Sequence, residues 1–336
     1  MSEAESRVPR AARPEKRIAI VIPTFEDWES LDALLPALDA SALERGFAVR
    51  VVLVDDCSIT PMPAELRKRT YRQLRRVEVL RLRRNLGHQR AIALGLVYVH
   101  QLADAFDAIV VMDGDGEDKP EDVPALIDAL EQRSGAQVVF ARRARRQESW
   151  FFQAMYHLYR GLHWLMTGIA VRVGNFSALR PAAVRQIVIV SELWNHYAAA
   201  IFRARIPFET LPLARGRRYR GHSKMRFGGL VMHGLSAISV FSDIVGVRLV
   251  VSTLLVMLVS IALMGVVVGV RLFTDEAIPG WATSAFGLLA IVLGQAFLVM
   301  LVISFIVLGN RSQVNVIPLT DTQVFVDGVE EVFRSP

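Results

Sequence analysis

DAIVVMDGDGED, residues 107–118, runs from an apolar, β-branched stretch straight into an alternation of carboxylates and glycines. Its first half predicts a strand buried on both faces, because a strand with one wet face would alternate polar and apolar residues. Its second half predicts the end of that strand: glycines permit a tight bend, and Asp113, Asp115 and Glu117 fall at alternate positions along it. Four further stretches share the first character: RIAIVIP (Arg17–Pro23), VRVVLVDD (Val49–Asp56), VEVLRL (Val77–Leu82) and AQVVFA (Ala136–Ala141). Helix-like segments separate the strands, roughly Glu29–Arg45, Pro63–Leu74, Gln89–Ala103 and Glu121–Arg133. The alternation predicts an α/β fold on a parallel sheet with right-handed crossovers. Ligands of such sheets lie beyond the carboxyl ends of the strands, which here carry Thr24, Glu26, Asp27, Asp55, Asp56, Asn85, Asp113 and Asp115.

Downstream the chain changes solvent. Leu249–Val270 is a charge-free run of 22 residues between Arg248 and Arg271, about 33 Å of helix at ~1.5 Å per residue against a hydrocarbon core of about 30 Å. Trp281–Gly309 adds 29 residues whose polarity is limited to Ser, Thr and Gln295, enough to span with tilt. Arginines crowd the approach to the first run (Arg203, Arg205, Arg215, Arg217, Arg218, Arg220, Lys224, Arg226, Arg248) and Arg311 follows the second, whereas the connecting turn offers only Arg271. The positive-inside rule therefore places both ends in the cytoplasm. The opening MSEAESRVPRAARPEKR has no apolar core and reads as a disordered lead, not a signal peptide. A single cysteine, Cys57, allows no internal disulfide. The expected organisation is a lead (1–16), an α/β domain (17–223), an amphipathic juxtamembrane helix (224–243), spans at 244–272 and 281–309, and a tail (310–336).

The net charge of +6 and the run RKRTYRQLRRVEVLRLRR (Arg67–Arg84) raise nucleic-acid binding. The run ends in a strand-like alternation, so a charged face near a bilayer is the preferred reading and no nucleic-acid partner is expected. SWFFQAMYHLYRGLHWLMTG (Ser149–Gly168) and KMRFGGLVMHGLSAISVFSD (Lys224–Asp243) place aromatic and basic residues where an interfacial helix would have them. Gly265, Gly269, Gly287 and Gly294 would let spans pack closely, within one chain or in a homo-oligomer.

The carboxylates of Asp113–Glu117 suit a hard cation. Mg²⁺ is commonly held by one or two carboxylates plus substrate phosphates, which predicts Mg²⁺ or Mn²⁺ bridging a nucleotide diphosphate. An EF-hand reading of the same letters fails, because the twelfth residue counted from Asp113 is Pro124, where a bidentate Glu is required.

IVIPTFEDWE, VVLVDDCS, RNLGHQRAIALGL, MDGDGEDKPED and RYRGHSKM occur in an order that resembles glycosyltransferase family 2. Within it, the chain is most similar to dolichol-phosphate mannose synthase and the bacterial undecaprenyl-phosphate glycosyltransferases. The resemblance, over about residues 17–310, implies a GT-A fold, a nucleotide-sugar donor, a divalent metal and a polyprenyl-phosphate acceptor at a bacterial inner membrane. It implies that Pro23, Thr24, Glu26, Asp55, Asp56 and Asn85 hold the donor, and that Asp115 and Glu117 are metal positions with Asp113 beside donor or metal. Arg142 and Arg143 would hold the donor diphosphate, while Arg218 and Lys224 would act on donor or acceptor phosphate. His88 reads as a surface histidine. The chain departs from the family at Cys57 (usually Gly), Glu26 (Asn), Glu117 (Gln), Lys119 (Pro) and Asn175, where an acidic residue is frequent. An anionic acceptor phosphate needs no general base, so Asn175 is compatible with an inverting transfer of a hexose. Other readings are a different lipid or glycan acceptor, or a silent binding module of the same fold; the sugar and nucleotide stay open.

Overall fold

The computed structural model describes residues 15–102, 105–143, 161, 164–168, 173–220, 235–274, 280–312 and 316–335. The chain divides into two units, one formed by Met1–Arg146, Arg172–Arg226 and Val316–Pro336, the other by Gln147–Val171 and Phe227–Asn315.

The first unit is built on one sheet with strands β1 (Lys16–Thr24), β2 (Phe47–Asp55), β3 (Leu74–Leu82), β4 (Ala108–Val111), β5 (Val138–Arg143), β6 (Ser177–Leu179), β7 (Phe208–Leu213) and β8 (Val326–Arg334). Their spatial order is β7-β5-β6-β4-β1-β2-β3-β8. The five strands expected from the sequence are present, and β4-β1-β2-β3 is parallel as anticipated. The sheet as a whole is mixed: β6 runs antiparallel to both β4 and β5, and β8 antiparallel to β3. β6 is three residues long, too short to announce itself by periodicity.

Helices α1 (Trp28–Arg45), α2 (His88–Gln101) and α3 (Val123–Gln132) connect the parallel strands close to their expected limits. The segment expected to be helical over Pro63–Leu74 forms only one turn, Ala64–Arg67, and beyond it Asp39 takes the amides of Arg72, Gln73 and Leu74 as the chain enters β3. Two more helices follow β6, α4 (Pro181–Ile187) and α5 (Tyr197–Arg203). One apolar cluster, with Ile18, Ile20, Leu31, Leu34 and Val51, covers one sheet face. Another, with Val21, Val54, Ile92, Leu96, Phe140 and Tyr197, covers the other.

The residues after the apolar helices do not form a separate tail. Gln323–Phe325 forms a single 3-10 turn, and β8 follows it as the edge of the sheet. β8 explains the basic run. Arg67 and Arg81 both pair with Glu330, Arg76 pairs with Glu331 at 2.5 Å and Arg69 pairs bidentately with Asp32. Four arginines of the run therefore fasten the sheet edge and its neighbouring helix, while Lys68, Arg72, Arg83 and Arg84 stay exposed. Beneath it lies a buried charge cluster: Glu78, 1% exposed, accepts from Arg50 Nε (2.9 Å), Arg50 Nη2 (3.0 Å) and Tyr98 Oη (3.2 Å), and pairs with Arg76.

The second unit holds α6 (Ser242–Phe273) and α7 (Trp281–Ser312). Their most apolar windows have mean hydropathies of 2.7 and 2.8 and are only 11% and 6% buried, so they are long and apolar enough to cross a membrane and are not core helices of this unit. They approach closely at Gly246, where a Cβ would stand 2.3 Å from Val307 Cγ2. Gly265, Gly269, Gly287 and Gly294 have open space around them instead. Arg248 donates to the carbonyls of Trp164 (3.3 Å) and Leu165 (2.5 Å). Most of the two expected interfacial stretches and the lead before Glu15 lie outside the described residues.

Removing one member of a buried ion pair strands the other charge. Glu78→Ala should cost about 3–5 kcal/mol of stability, whereas Glu331→Ala at the solvent-facing edge should cost less than about 1 kcal/mol; thermal unfolding of the detergent-solubilised protein measures both. Equal losses would show that the cluster does not brace β2 and β3.

Candidate functional site

The parallel strands reverse their order of addition between β4 and β1, and a crevice beyond the carboxyl ends is expected at such a point. Thr24 and Asp55 sit side by side in register at the ends of β1 and β2, and β4 delivers Met112 and Asp113 next to them, Met112 N donating to Val21 O at 3.2 Å.

Several carboxylates here organise loops. Asp56, 3% exposed, accepts from Leu86 N (2.6 Å) and Gly87 N (2.8 Å), fixing the segment that carries Asn85 and His88. Burial pushes the Asp56 carboxyl pKa above its ordinary value, only partly opposed by these two amides. Asp55 accepts from Ser58 N at 3.0 Å, and Glu26 accepts from Ile59 N and, at 3.2 Å, from Thr60 N. Glu26 and Cys57 both adopt positive φ, 52° and 64°, a conformation costly for residues with a Cβ. Among the sequence-predicted donor residues, Glu26 and Asp56 thus have backbone partners that account for their carboxylates.

The turn after β4 is held from three directions. Asp118, 2% exposed, accepts from Asp113 N at 2.9 Å, and Asp115 Oδ1 accepts from Glu117 N at 2.9 Å. From downstream, Gly216 N donates to Glu117 O and Tyr219 N to Asp115 O, both at 2.9 Å. The Tyr219 ring lies on Gly116 (φ 88°), where a Cβ would stand 2.5 Å from Cδ2, and a Cβ on Gly216 would stand 2.3 Å from Gly116 O. Both glycines are needed for this approach. It carries Arg218 Nη2 to 2.7 Å from Asp115 Oδ2 and Arg218 Nε to 3.8 Å from Glu117 Oε1, while Arg215 pairs with Glu117. Burial raises the Asp115 pKa; the Glu117 amide and Arg218 oppose that rise.

His88 is exposed, as expected, with 43% of its side chain accessible, yet it has partners. Its Nε2 lies 3.2 Å from Asp113 Oδ1 and 3.0 Å from Asn175 Nδ2. The amide orientation is set from behind: Tyr197 N donates to Gln89 Oε1 (2.7 Å) and Gln89 Nε2 to Asn175 Oδ1 (3.2 Å), so Asn175 presents its NH₂ to the ring. One ring nitrogen cannot both donate and accept, so protonated His88 pairs with Asp113 and the neutral Nδ1–H tautomer accepts from Asn175. Burial disfavours the imidazolium, but Asp113, with Asp115 and Asp118 behind it, outweighs this and raises the His88 pKa above 6.5.

Asn85, in the loop after β3, and Arg142, near the end of β5, are both exposed, Arg142 in register with Pro212 of β7. Arg143 continues that pairing through its backbone, and Lys224 lies outside the described residues. Arg215, Asp118, Gln89 and Tyr219 join the site without having been singled out from the sequence. Arg215 had a signal there in the basic approach to the first span, and Asp118, Gln89 and Tyr219 lie within the motifs that carry the family resemblance.

Among the described residues no three His, Cys, Asp or Glu side chains are gathered as a protein-only metal cage. The set nevertheless fits an ion held partly by substrate phosphates, because one guanidinium already meets both Asp115 and Glu117 and so marks where their oxygens converge.

A mixed sheet that ends β4 in an acidic turn at the reversal point, faced by arginines, is a GT-A-like α/β fold. The chain matches the model of glycosyl transferase family 2 over residues 19–188, half of its length, and belongs to that family. It is 33% identical over 151 residues, 45% of this chain and 44% of the relative, to undecaprenyl-phosphate 4-deoxy-4-formamido-L-arabinose transferase of Edwardsiella ictaluri. The enzyme of that name from Serratia proteamaculans is 29% identical over 175 residues, 52% of this chain and 51% of the relative. The chain spans about half the length of the curated relatives it matches. Among solved structures, glucosyl-3-phosphoglycerate synthase from Mycobacterium tuberculosis in complex with Mn²⁺, UDP and phosphoglyceric acid overlays with a TM-score of 0.49 at 15% identity, over 69% of this chain and 79% of that one.

Asp113→Asn should bring the His88 pKa down toward 6.5, read from the imidazole signals by NMR. The native pair stabilises the fold fully below about 6.5, the unfolded value, and that contribution is lost as pH rises through the raised folded value. An unchanged His88 titration in the variant would remove Asp113 as its partner.

Proposed function

We propose that this chain is a membrane-bound inverting glycosyltransferase that moves a hexose from a nucleotide sugar to a polyprenyl phosphate such as undecaprenyl phosphate, at the cytoplasmic face of a bacterial inner membrane. The observation that carries the reading is the convergence of Asp115 and Glu117 on one cationic position at the carboxyl end of β4, in a chain with two helices able to span a bilayer. The names of the two relatives support the acceptor. The placement of β8 in the same sheet as β1 supports an even number of crossings, and the excess of arginines flanking the two helices over their connecting turn supports the cytoplasmic side.

In this reading Pro23, Thr24 and Asp55 wall the base and ribose, with Glu26 and Asp56 holding the loops around them and Asn85 at the rim. Asp115 and Glu117 hold Mg²⁺ or Mn²⁺, which when bound neutralises charge on the departing nucleotide diphosphate. Arg218, with Arg142, Arg143 and Lys224, binds phosphate oxygens, a task for which the guanidinium fork is suited. Asp113 keeps its carboxylate beside the diphosphate position and is oriented by Asp118 and His88. The acceptor phosphate is anionic at neutral pH and attacks the anomeric carbon without a base, so Asn175 is free to serve His88.

Transfer from a panel of nucleotide sugars to undecaprenyl phosphate, with Mg²⁺ or Mn²⁺, tests the reading. Product is expected with one donor, falling about 10²–10³-fold in Asp115→Ala. Absence of product with every donor, from protein that remains folded, would overturn it.

A further inference from the structure

The segment Arg215–Tyr219 is fastened to the acidic turn through its backbone as well as its charges: two 2.9 Å amide-to-carbonyl bonds, from Gly216 to Glu117 and from Tyr219 to Asp115, bracket Arg218. Arg218 is therefore delivered from a fixed point, and its guanidinium takes the position on which Asp115 and Glu117 converge. Arg215 holds Glu117 independently. Asp115 and Glu117 are thus each paired with a guanidinium, while the Asp113 carboxylate acts on Asp115 from the same turn.

We infer that Arg218 is an internal cation that fills the ion position of the ligand-free protein and yields it only when a divalent cation and a nucleoside diphosphate bind together. The inference rests on the function proposed above and adds an order to it. A divalent cation alone would add two positive charges beside a part-buried guanidinium with no new partner, and a diphosphate alone would face Asp115 and Glu117. Arriving together they permit a balanced exchange, in which the carboxylates turn from Arg218 to the ion and Arg218 turns to diphosphate oxygens. Each ligand then raises the affinity of the other by one common factor. Tyr219 and Arg215 keep the segment in place while the Arg218 side chain changes partner, so the exchange requires a rotamer change and no displacement of the backbone.

The test is Mn²⁺ binding to the full-length protein in detergent, read by EPR of free Mn²⁺ with and without UDP, GDP, ADP and CDP, for the native chain, Arg218→Gln and Arg218→Lys. Native protein should bind Mn²⁺ alone weakly and about tenfold or more tightly with one diphosphate. Arg218→Gln should bind Mn²⁺ alone about tenfold more tightly than native and show a correspondingly smaller coupling, while Arg218→Lys should retain weak Mn²⁺ binding alone. If Arg218→Gln leaves Mn²⁺ binding unchanged or weaker while native coupling persists, the exchange is overturned and the proposed function stands. Should that variant fail to fold, native coupling below about twofold overturns the exchange by itself. If the native protein binds neither Mn²⁺ nor any diphosphate, the proposed function falls and the exchange with it.

Discussion

A sheet covered on both faces leaves one place for polar chemistry. β1 and β2 are buried along nearly their whole length, between one apolar cluster containing α1 and another containing α2. A carboxylate within these strands would have to be paired, as Glu78 is in β3, because an isolated buried charge is prohibitively costly. Groups meant to meet a ligand are thereby driven to the strand ends, and the reversal between β4 and β1 gathers Thr24, Asp55 and Asp113 at one of them. Everything distinctive about the site is hung on this exclusion.

This also explains which parts were legible in the sequence. β1 to β5 could be read because strands buried on both faces are written as continuous apolar runs, and the acidic turn because all its carboxylates lie within five residues of one another. β8 escaped for the opposite reason: VDGVEEVFR is an edge strand, half wet, interrupted by Gly328 and carrying charges whose partners are in β3. The partners of the acidic turn escaped because local pattern says nothing about contacts across 98 residues, as between Glu117 and Arg215, or about the route from Tyr197 through Gln89 and Asn175 to His88. Asp56 and Glu26 were read correctly as strand-end carboxylates, but their engagement by backbone amides depends on loop conformations, including positive φ at Glu26, that no spacing rule encodes.

The arginines show how weak composition is as a guide to partners. In a run rich enough to raise nucleic acid or lipid as its counterpart, Arg67, Arg69, Arg76 and Arg81 are paired within the fold with Asp32, Glu330 and Glu331, and Arg84 lies over the ring of Phe325, 5.6 Å from its centroid. Phe325 in turn stacks against Trp194, and its carbonyl accepts from Arg83 N at 2.9 Å, two residues before Asn85. The segment following the apolar helices is thus part of the framework that fixes the loop braced by Asp56.

Because β8 comes after both apolar helices in the chain yet completes the sheet begun by β1, the order of synthesis and the order of assembly differ. While the helices are still being made, β3 presents an unpaired edge of backbone donors and acceptors, with a row of arginines lacking their acids. Such edges invite pairing with other chains. If the two apolar helices span a membrane, a nascent domain of this design stays adhesive until both have been placed there and its last strand has come back to the sheet.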